Sequence, residues 1–499
     1  MDETEKKISE EQEALPTDGT VESAAITEVQ PLPEWKVSGL FSDHMVLQRD
    51  VPITVYGWST HSGSPVTGTW DGETAEGVVD ADGNFRLTFA PHAVSFTPTV
   101  MHIDSPCGSA VFEDILVGDV WLLGGQSNGE MALSSCIQTT PEVEKAISGD
   151  DPFRLFKQKQ AVAAAHTEFH NTPSRDIIDP DWCWKRPDRD AALEFSAMGY
   201  YFAKLLTQQL DAPVGIVMAC PGGACLRELM PAELAHRRGY TTGANVPVAG
   251  YYNTLLHPLE GMQFRGQLFF QGESEGIWKE MALSYDADLA EFVADERQRF
   301  GIDFPFYNMQ ISSYRQEGAE FFPHLHWVRS RQFAAARLIP DYHLSVSRDL
   351  GALPEYKDWA HSLRKYEVGA RLAAQVLANE YGIGDPAAAE SPTPVSVTPT
   401  DGGLTVRFDF VNGGLTAGAG GSVKGFSLAS ADEVLQTLDA RITGPDTVLV
   451  TLPEETGGAT QLGYAMHPIA YLADADLCGG TGLPAPAFLL PLPDPAADA

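Results

Sequence analysis

From about residue 114 onward, short apolar runs alternate with stretches of helical periodicity, and this alternation restricts the fold more than any other feature. The runs cover residues 120–123, 214–219, 266–270, 304–311 and 342–346. Between them Met198, Phe202, Leu205 and Leu206 recur at helical spacing, as do Val368, Leu372 and Val376, with Gly382 placed to cap the last helix. Strands and helices in alternation predict an α/β fold, a parallel sheet with helices on both faces, over residues 114–385. Residues 35–113 instead show short β-prone runs and turn signals such as Asp82-Gly83, which predict a β-sandwich-like N-terminal domain. Residues 386–400, rich in Pro, Ala and Thr, read as a linker to a second such domain over 401–499. Residues 1–34 are acidic, lack periodicity and read as a disordered tail.

A chain of 499 residues is too long for one ordinary core, so several domains are expected. Its net charge of -35 opposes binding to nucleic acid or to an anionic membrane, because both would repel it. No apolar run reaches membrane-spanning length, and no secretory stretch follows Met1, so the expectation is a cytoplasmic location. The six cysteines are scattered without a Cys-x-x-Cys pair, and His324 and His326 have no acidic or thiol partner at ligand spacing. No metal and no cofactor are expected.

The candidate chemistry begins at Gly124-Gly125-Gln126-Ser127-Asn128, where the first apolar run ends. Catalytic groups in open α/β sheets sit at the carboxyl ends of strands. In isolation these residues suit a helix cap as well as a nucleophile. A serine hydroxyl needs a base, and His361 is the best placed histidine, with Asp358 three residues before it to hold the imidazole tautomer. A surface loop charge beside a helix-start histidine is the plainer alternative. An ester substrate also needs donors for the oxyanion. Candidates are the Ser127 N–H, the turn Pro221-Gly222-Gly223 and the Gln271 amide. Glu273 is a candidate to orient His361 in place of Asp358, or to brace its own loop. Gln126 and Asn128, beside the serine, are candidates for substrate contact. Arg227 and Arg265 are candidate cations for an anionic substrate, though a scaffold role suits either.

Several blocks, taken in order, resemble the sialate O-acetylesterase family of SGNH hydrolases. Residues 118–128 resemble its nucleophile block, and residues 40–49 its opening β domain. Phe195-Ser196-Ala197 with Gly199-Tyr200, Tyr252-Asn253 with Pro258-Leu259, and residues 270–274 are similar to its pattern. So are His361 with Lys365, Val368 and Gly369, and, near the C-terminus, residues 423–426 and 482–485 with Phe488. The resemblance implies an SGNH-type fold and a serine esterase acting on acetylated sialic acid, a small-molecule sugar substrate, without metal. It assigns Ser127 as nucleophile, His361 as base, and Gly223 and Gln271 as oxyanion donors. The chain departs from the family at Asp358, one residue further from the histidine than usual, and at Ser362, where proline is common. Cys220-Pro221-Gly222-Gly223-Ala224 replaces Ser-Trp-Gly-Gly-Thr, and Gly129 replaces methionine. The departures at 129 and 220–224 bear on substrate preference. The rival readings are an esterase of other acetylated carbohydrates, such as xylan fragments, and a catalytically silent carbohydrate-binding protein.

Overall fold

A computed structural model describes residues 31–136, 139–165, 167–315, 320–351, 360–469 and 473–493. All but four residues of the expected acidic tail, and Asp358, lie outside the described residues.

The five alternating runs, together with an unpredicted strand at Phe153–Lys157, form six parallel strands: β1 (Gly108–Gly125), β2 (Phe153–Lys157), β3 (Val214–Ala219), β4 (Gly266–Phe270), β5 (Phe306–Gln310) and β6 (Tyr342–Val346). Their order across the sheet is β2-β3-β1-β4-β5-β6. The chain therefore passes from β1 to the outer position β2, steps back inward to β3, and then crosses to the other side of β1 at β4. That reversal makes the β1/β4 boundary the topological switch point. A two-residue strand, Trp184–Lys185, closes the β2 edge in antiparallel fashion. The parallel strands β2 to β5 are buried along almost their whole length, as strands covered on both faces must be. Helices α1 (Ser127–Glu130), α2 (Ala197–Thr207), α3 (Leu226–Leu229), α4 (Lys279–Phe300), α5 (Leu325–Ala334) and α6 (Lys365–Tyr381) connect and cover them. Trp121 on β1 packs edge-on against Phe202 of α2 and Tyr307 of β5, with ring centroids 5.4 and 6.0 Å away. Gly266 makes room for it, since a Cβ there would lie 2.4 Å from the indole.

The expected boundary at residue 113/114 is corrected by β1 itself. This strand runs unbroken for 18 residues. Its first seven residues alternate between half-buried and exposed, and pair with the antiparallel strand Ser95–Ser105. Its last eleven are buried and enter the parallel sheet. The burial pattern changes at Ile115, directly after Asp114, which sits at φ 55°. The change in composition was a change of environment along one strand, and a single core continues across it. The region before it still forms two small antiparallel layers, one of which is Trp35–Val37, Ile53–Ser59 and Asn84–Phe89.

The expected linker at 386–400 is also corrected. It contains a short helix, Pro386–Ala389, capped by Asp385, and the strand Thr393–Thr400. That strand is the edge of a five-stranded sheet and carries an irregularity between Pro394 and Ser396. Proline is tolerated on an edge because no ladder partner needs its missing N–H, so an edge strand has the composition of a linker. This sheet faces a four-stranded one around Val406, Phe408, Phe426, Leu428, Val448, Tyr464 and Phe488. Polar bonds tie the sandwich to the α/β body. Gln310 donates to the Ala487 carbonyl and accepts from its N–H (3.1 and 2.9 Å), and Arg329 donates to the carbonyls of His467 and Pro468 (2.6 and 2.7 Å). Among the described residues no helix is long and apolar enough to cross a membrane.

Candidate active site

Register aligns three strand ends. Ala219 lies beside Gly124, and Phe270 beside Gly125. The chain leaves all three strands at one level, so the turns at 126–128, 220–224 and 271–275 meet at the switch point. Gly125 must be glycine: its φ is 140°, and a Cβ would lie 2.3 Å from the Phe270 carbonyl oxygen. That close approach lets the Gln126 N–H donate to the same carbonyl at 2.9 Å, fixing the turn that starts α1 with Ser127. Ser127 is half-buried, whereas both of its neighbours are buried.

Those neighbours bind the protein itself, which revises the expectation that they contact substrate. The Gln126 carbonyl Oε1 accepts from the Gln271 amide and from the N–H groups of Gly272 and Ser274 (3.3, 3.2 and 3.4 Å). Asn128 has no exposed surface. Its Nδ2 donates to Glu273 Oε1 at 2.7 Å, while its Oδ1 accepts from Lys365 Nζ at 2.6 Å and from the Ser362 N–H at 3.3 Å. Asn128 thus joins the serine turn, the β4 loop and the start of α6. Because Asn128 adjoins Ser127 and Ser362 adjoins the half-buried His361, the bond between them sets the serine turn beside the histidine segment.

Gln271 is likewise drawn inward. Its Nε2 faces the Ala224 carbonyl (3.0 Å), Glu275 Oε2 (2.5 Å) and Gln126 Oε1, and its Oε1 accepts from the Tyr285 hydroxyl at 2.8 Å. With no exposed surface, Gln271 turns its amide to these acceptors and holds the glycine turn. Glu273 is fully buried, which raises its pKa; the Asn128 bond and the charges of Lys365 and His361 pull it back. Glu275 accepts from the Leu226 N–H at 2.6 Å at the start of α3, and burial pushes its carboxyl up to about 7.

Gly223 holds φ 74°, a conformation natural to glycine. Its carbonyl accepts from Ser274 Oγ at 2.7 Å and Asn245 Nδ2 at 2.6 Å. A Cβ on neighbouring Gly222 would lie 3.8 Å from Ser127 Cβ and 3.0 Å from Glu130 Oε2, so all three line one space. Burial raises the Glu130 pKa, and the charge on Lys157, the N–H groups of Gln160 and Gly222, and the charge on His361 lower it. The two departures at 129 and 220 form one packing solution. The Cys220 thiol donates to the Leu123 carbonyl at 3.3 Å, and a Cβ on Gly129 would sit 3.0 Å from its sulfur.

Arg227 lies over the Trp278 ring at 4.9 Å, and its charge acts on Glu275, so it belongs to the wall behind the glycine turn. Arg265 directly precedes β4 and pairs with Glu380 at 3.2 Å. It stands at the opposite edge of the sheet from Ser127, which removes it as a substrate contact. Of the two histidines considered for a metal, His326 is buried, and that burial pushes it down to about 3. Among the described residues, Asp341, His343 and Glu380 bring possible ligand atoms within 4.8 Å of one another, also at the far edge. Tyr307 and Arg265 already donate to Glu380.

Residues that sequence reasoning missed are Glu130, Glu228, Asn245, Ser274 and Glu275, together with the role of Lys365. Glu130 follows Ser127 by three positions, a spacing that puts both on one side of a helical turn. Nothing in the local sequence marks Asn245.

The fold is that of an SGNH-type hydrolase, with the serine turn at the switch point of its parallel sheet and β layers at both ends of the chain. The chain belongs to the carbohydrate esterase family of sialic acid-specific acetylesterases, whose profile matches residues 117–378. It is 24% identical over 300 residues to the sialate O-acetylesterase of Homo sapiens, covering 54% of each chain. To that of Mus musculus it is 24% identical over 321 residues, covering 54% of this chain and 58% of the relative. It therefore spans a little over half the length of these curated relatives. A solved carbohydrate acetylesterase from Xanthomonas citri superposes with a TM-score of 0.77 at 28% identity, over 91% of this chain and 99% of that one.

Proposed function

We propose that this protein is a serine esterase that removes O-acetyl groups from sialic acids. The observation that carries the reading is the Asn128 junction, which gathers the serine turn, the Glu273 loop and the histidine segment at the switch point. In this reading Ser127 Oγ attacks the acetyl carbonyl while His361 accepts its proton. The N–H groups of Ser127 and Gly223 receive the oxyanion. Collapse expels the sugar hydroxyl, protonated by His361, and leaves acetyl-Ser127. Water, activated by the same histidine, then releases acetate. Asp358 stabilises the imidazolium, with the buried Glu273 as the alternative; His361 acts electrostatically on Glu273 already.

A second reading, hydrolysis of neutral acetylated carbohydrates such as xylan fragments, is favoured by Glu130. Its carboxylate shares a space with Ser127, suits a sugar hydroxyl as donor, and repels a sialate carboxylate placed near it. Acetate release from O-acetylated sialic acid and from acetylated xylan fragments, measured for wild type and Ser127→Ala side by side, tests both readings. The first expects faster turnover of the sialate and none by the variant. Turnover of xylan fragments alone would replace it with the second reading, and turnover by Ser127→Ala would remove both.

A further inference from the structure

The glycine turn is held from outside by a segment that no mechanism so far includes. Glu228 on α3 has no exposed surface, and its carboxylate faces backbone N–H groups. Oε2 accepts from the Cys225 N–H at 2.9 Å, and Oε1 from those of Ala244, Asn245 and Val246 at 2.8, 2.5 and 3.0 Å. A carboxylate accepting several N–H bonds is a strong anchor, because each bond to a charged acceptor is about twice as strong as a neutral one. The anchored segment carries Asn245, which is exposed and reaches back to the Gly223 carbonyl at 2.6 Å. Ser274 grips the same oxygen from the β4 side at 2.7 Å. The peptide following Gly223 is thus clamped from two elements. A residue at φ 74° with no side chain would otherwise be the loosest point of the turn.

We infer that Asn245, fixed by Glu228, is a positioning residue for the oxyanion site. It touches neither the nucleophile nor the reacting carbonyl. By holding the Gly223 carbonyl outward it fixes the dihedral angles around Gly223, and with them the direction of the Gly223 N–H. Preorganised donors stabilise an oxyanion because they need not reorient as charge develops. The inference rests on the esterase reading, in which that N–H faces the oxyanion.

The test compares wild type, Asn245→Ala, Glu228→Gln and Ser127→Ala on 4-nitrophenyl acetate, with phenylboronic acid as a tetrahedral mimic. In Asn245→Ala, kcat should fall about 10- to 100-fold, a partial loss of one oxyanion donor. KM should stay within about twofold, and boronate affinity should fall by the same factor as kcat/KM. Glu228→Gln must turn an amide donor toward at least one of its four N–H partners, and should show the same split. Should Glu228→Gln fail to fold, Asn245→Ala, an exposed position, carries the test alone. Asn245→Ala with kcat and boronate affinity near wild type, beside an inactive Ser127→Ala, would overturn the positioning role and leave the esterase reading standing. A rise in KM alone would also overturn it, marking Asn245 as a substrate contact. Turnover retained by Ser127→Ala would instead overturn the esterase reading and this inference with it.

Discussion

Replacing Asn128 with alanine should damage both stability and turnover, and the bonds it makes set the scale. The side chain donates to Glu273 at 2.7 Å and accepts from Lys365 at 2.6 Å, and all three residues are fully buried. Bonds to charged groups contribute roughly 1.5–3 kcal/mol each. Removing the bridge takes one such bond from a buried ammonium and one from a buried carboxylate, roughly 3–6 kcal/mol in sum. Partial approach of Lys365 and Glu273 recovers some of this, so Asn128→Ala should lose about 3 kcal/mol in urea unfolding. The same variant drops the Ser362 N–H contact that aligns the histidine segment, and an ångström of misplacement costs about 10²-fold in rate. Asn128→Asp, which keeps the acceptor for Lys365 but sets a second carboxyl against Glu273, should fold well only when the two share a proton at mildly acidic pH. A loss below about 1 kcal/mol with unchanged kcat in Asn128→Ala would refute the claim that this residue ties the site together.

Three further outcomes follow from the same geometry. Gly223→Ala should cost about 1–2 kcal/mol for a left-handed backbone and reduce kcat at least about tenfold, read by urea unfolding and steady-state kinetics. Glu296, buried on α4 with one long 3.5 Å bond from Gln267, has its carboxyl pushed up to about 8 by burial. A carboxyl whose folded pKa is raised contributes stability that is present below its unfolded value near 4.5 and lost as pH rises through 8, at up to about 1.4 kcal/mol per pH unit. The stability of wild type should therefore fall relative to Glu296→Gln between pH 5 and 8, and parallel curves would refute this. Gln310→Ala removes both bonds to the Ala487 backbone and should cost about 2 kcal/mol, seen as faster hydrogen exchange of the Ala487 amide.

Strand ends and helix faces were legible because burial on both faces leaves a periodic trace in sequence, as at 120–123 and 214–219. The course of β1 through residue 114 was not, because one strand passing between two environments changes pattern just as two domains would. Edge-strand chemistry at Pro394 and Pro399 concealed the strand at 393–400 in the same way. Within the site, Ser127 and the glycine turn were marked by position. The polar residues around them were not sorted, because Gln126, Asn128 and Gln271 have the same side-chain chemistry whether they face a substrate or the interior. Their partners lie 145 residues away for Asn128 and Glu273, and 237 for Asn128 and Lys365, separations at which no local pattern survives. Two acidic partners of the glycine-turn region, Glu228 and Glu275, are set by backbone N–H groups that have no sequence signature.

Covalent capture tests most directly whether Ser127 is the nucleophile. The protein is treated with a fluorophosphonate and the modified peptide is mapped by mass spectrometry. One stoichiometric adduct is expected on Ser127, absent from Ser127→Ala, with esterase activity lost in step with labelling. An adduct at another residue, or full activity in protein labelled at Ser127, would contradict it.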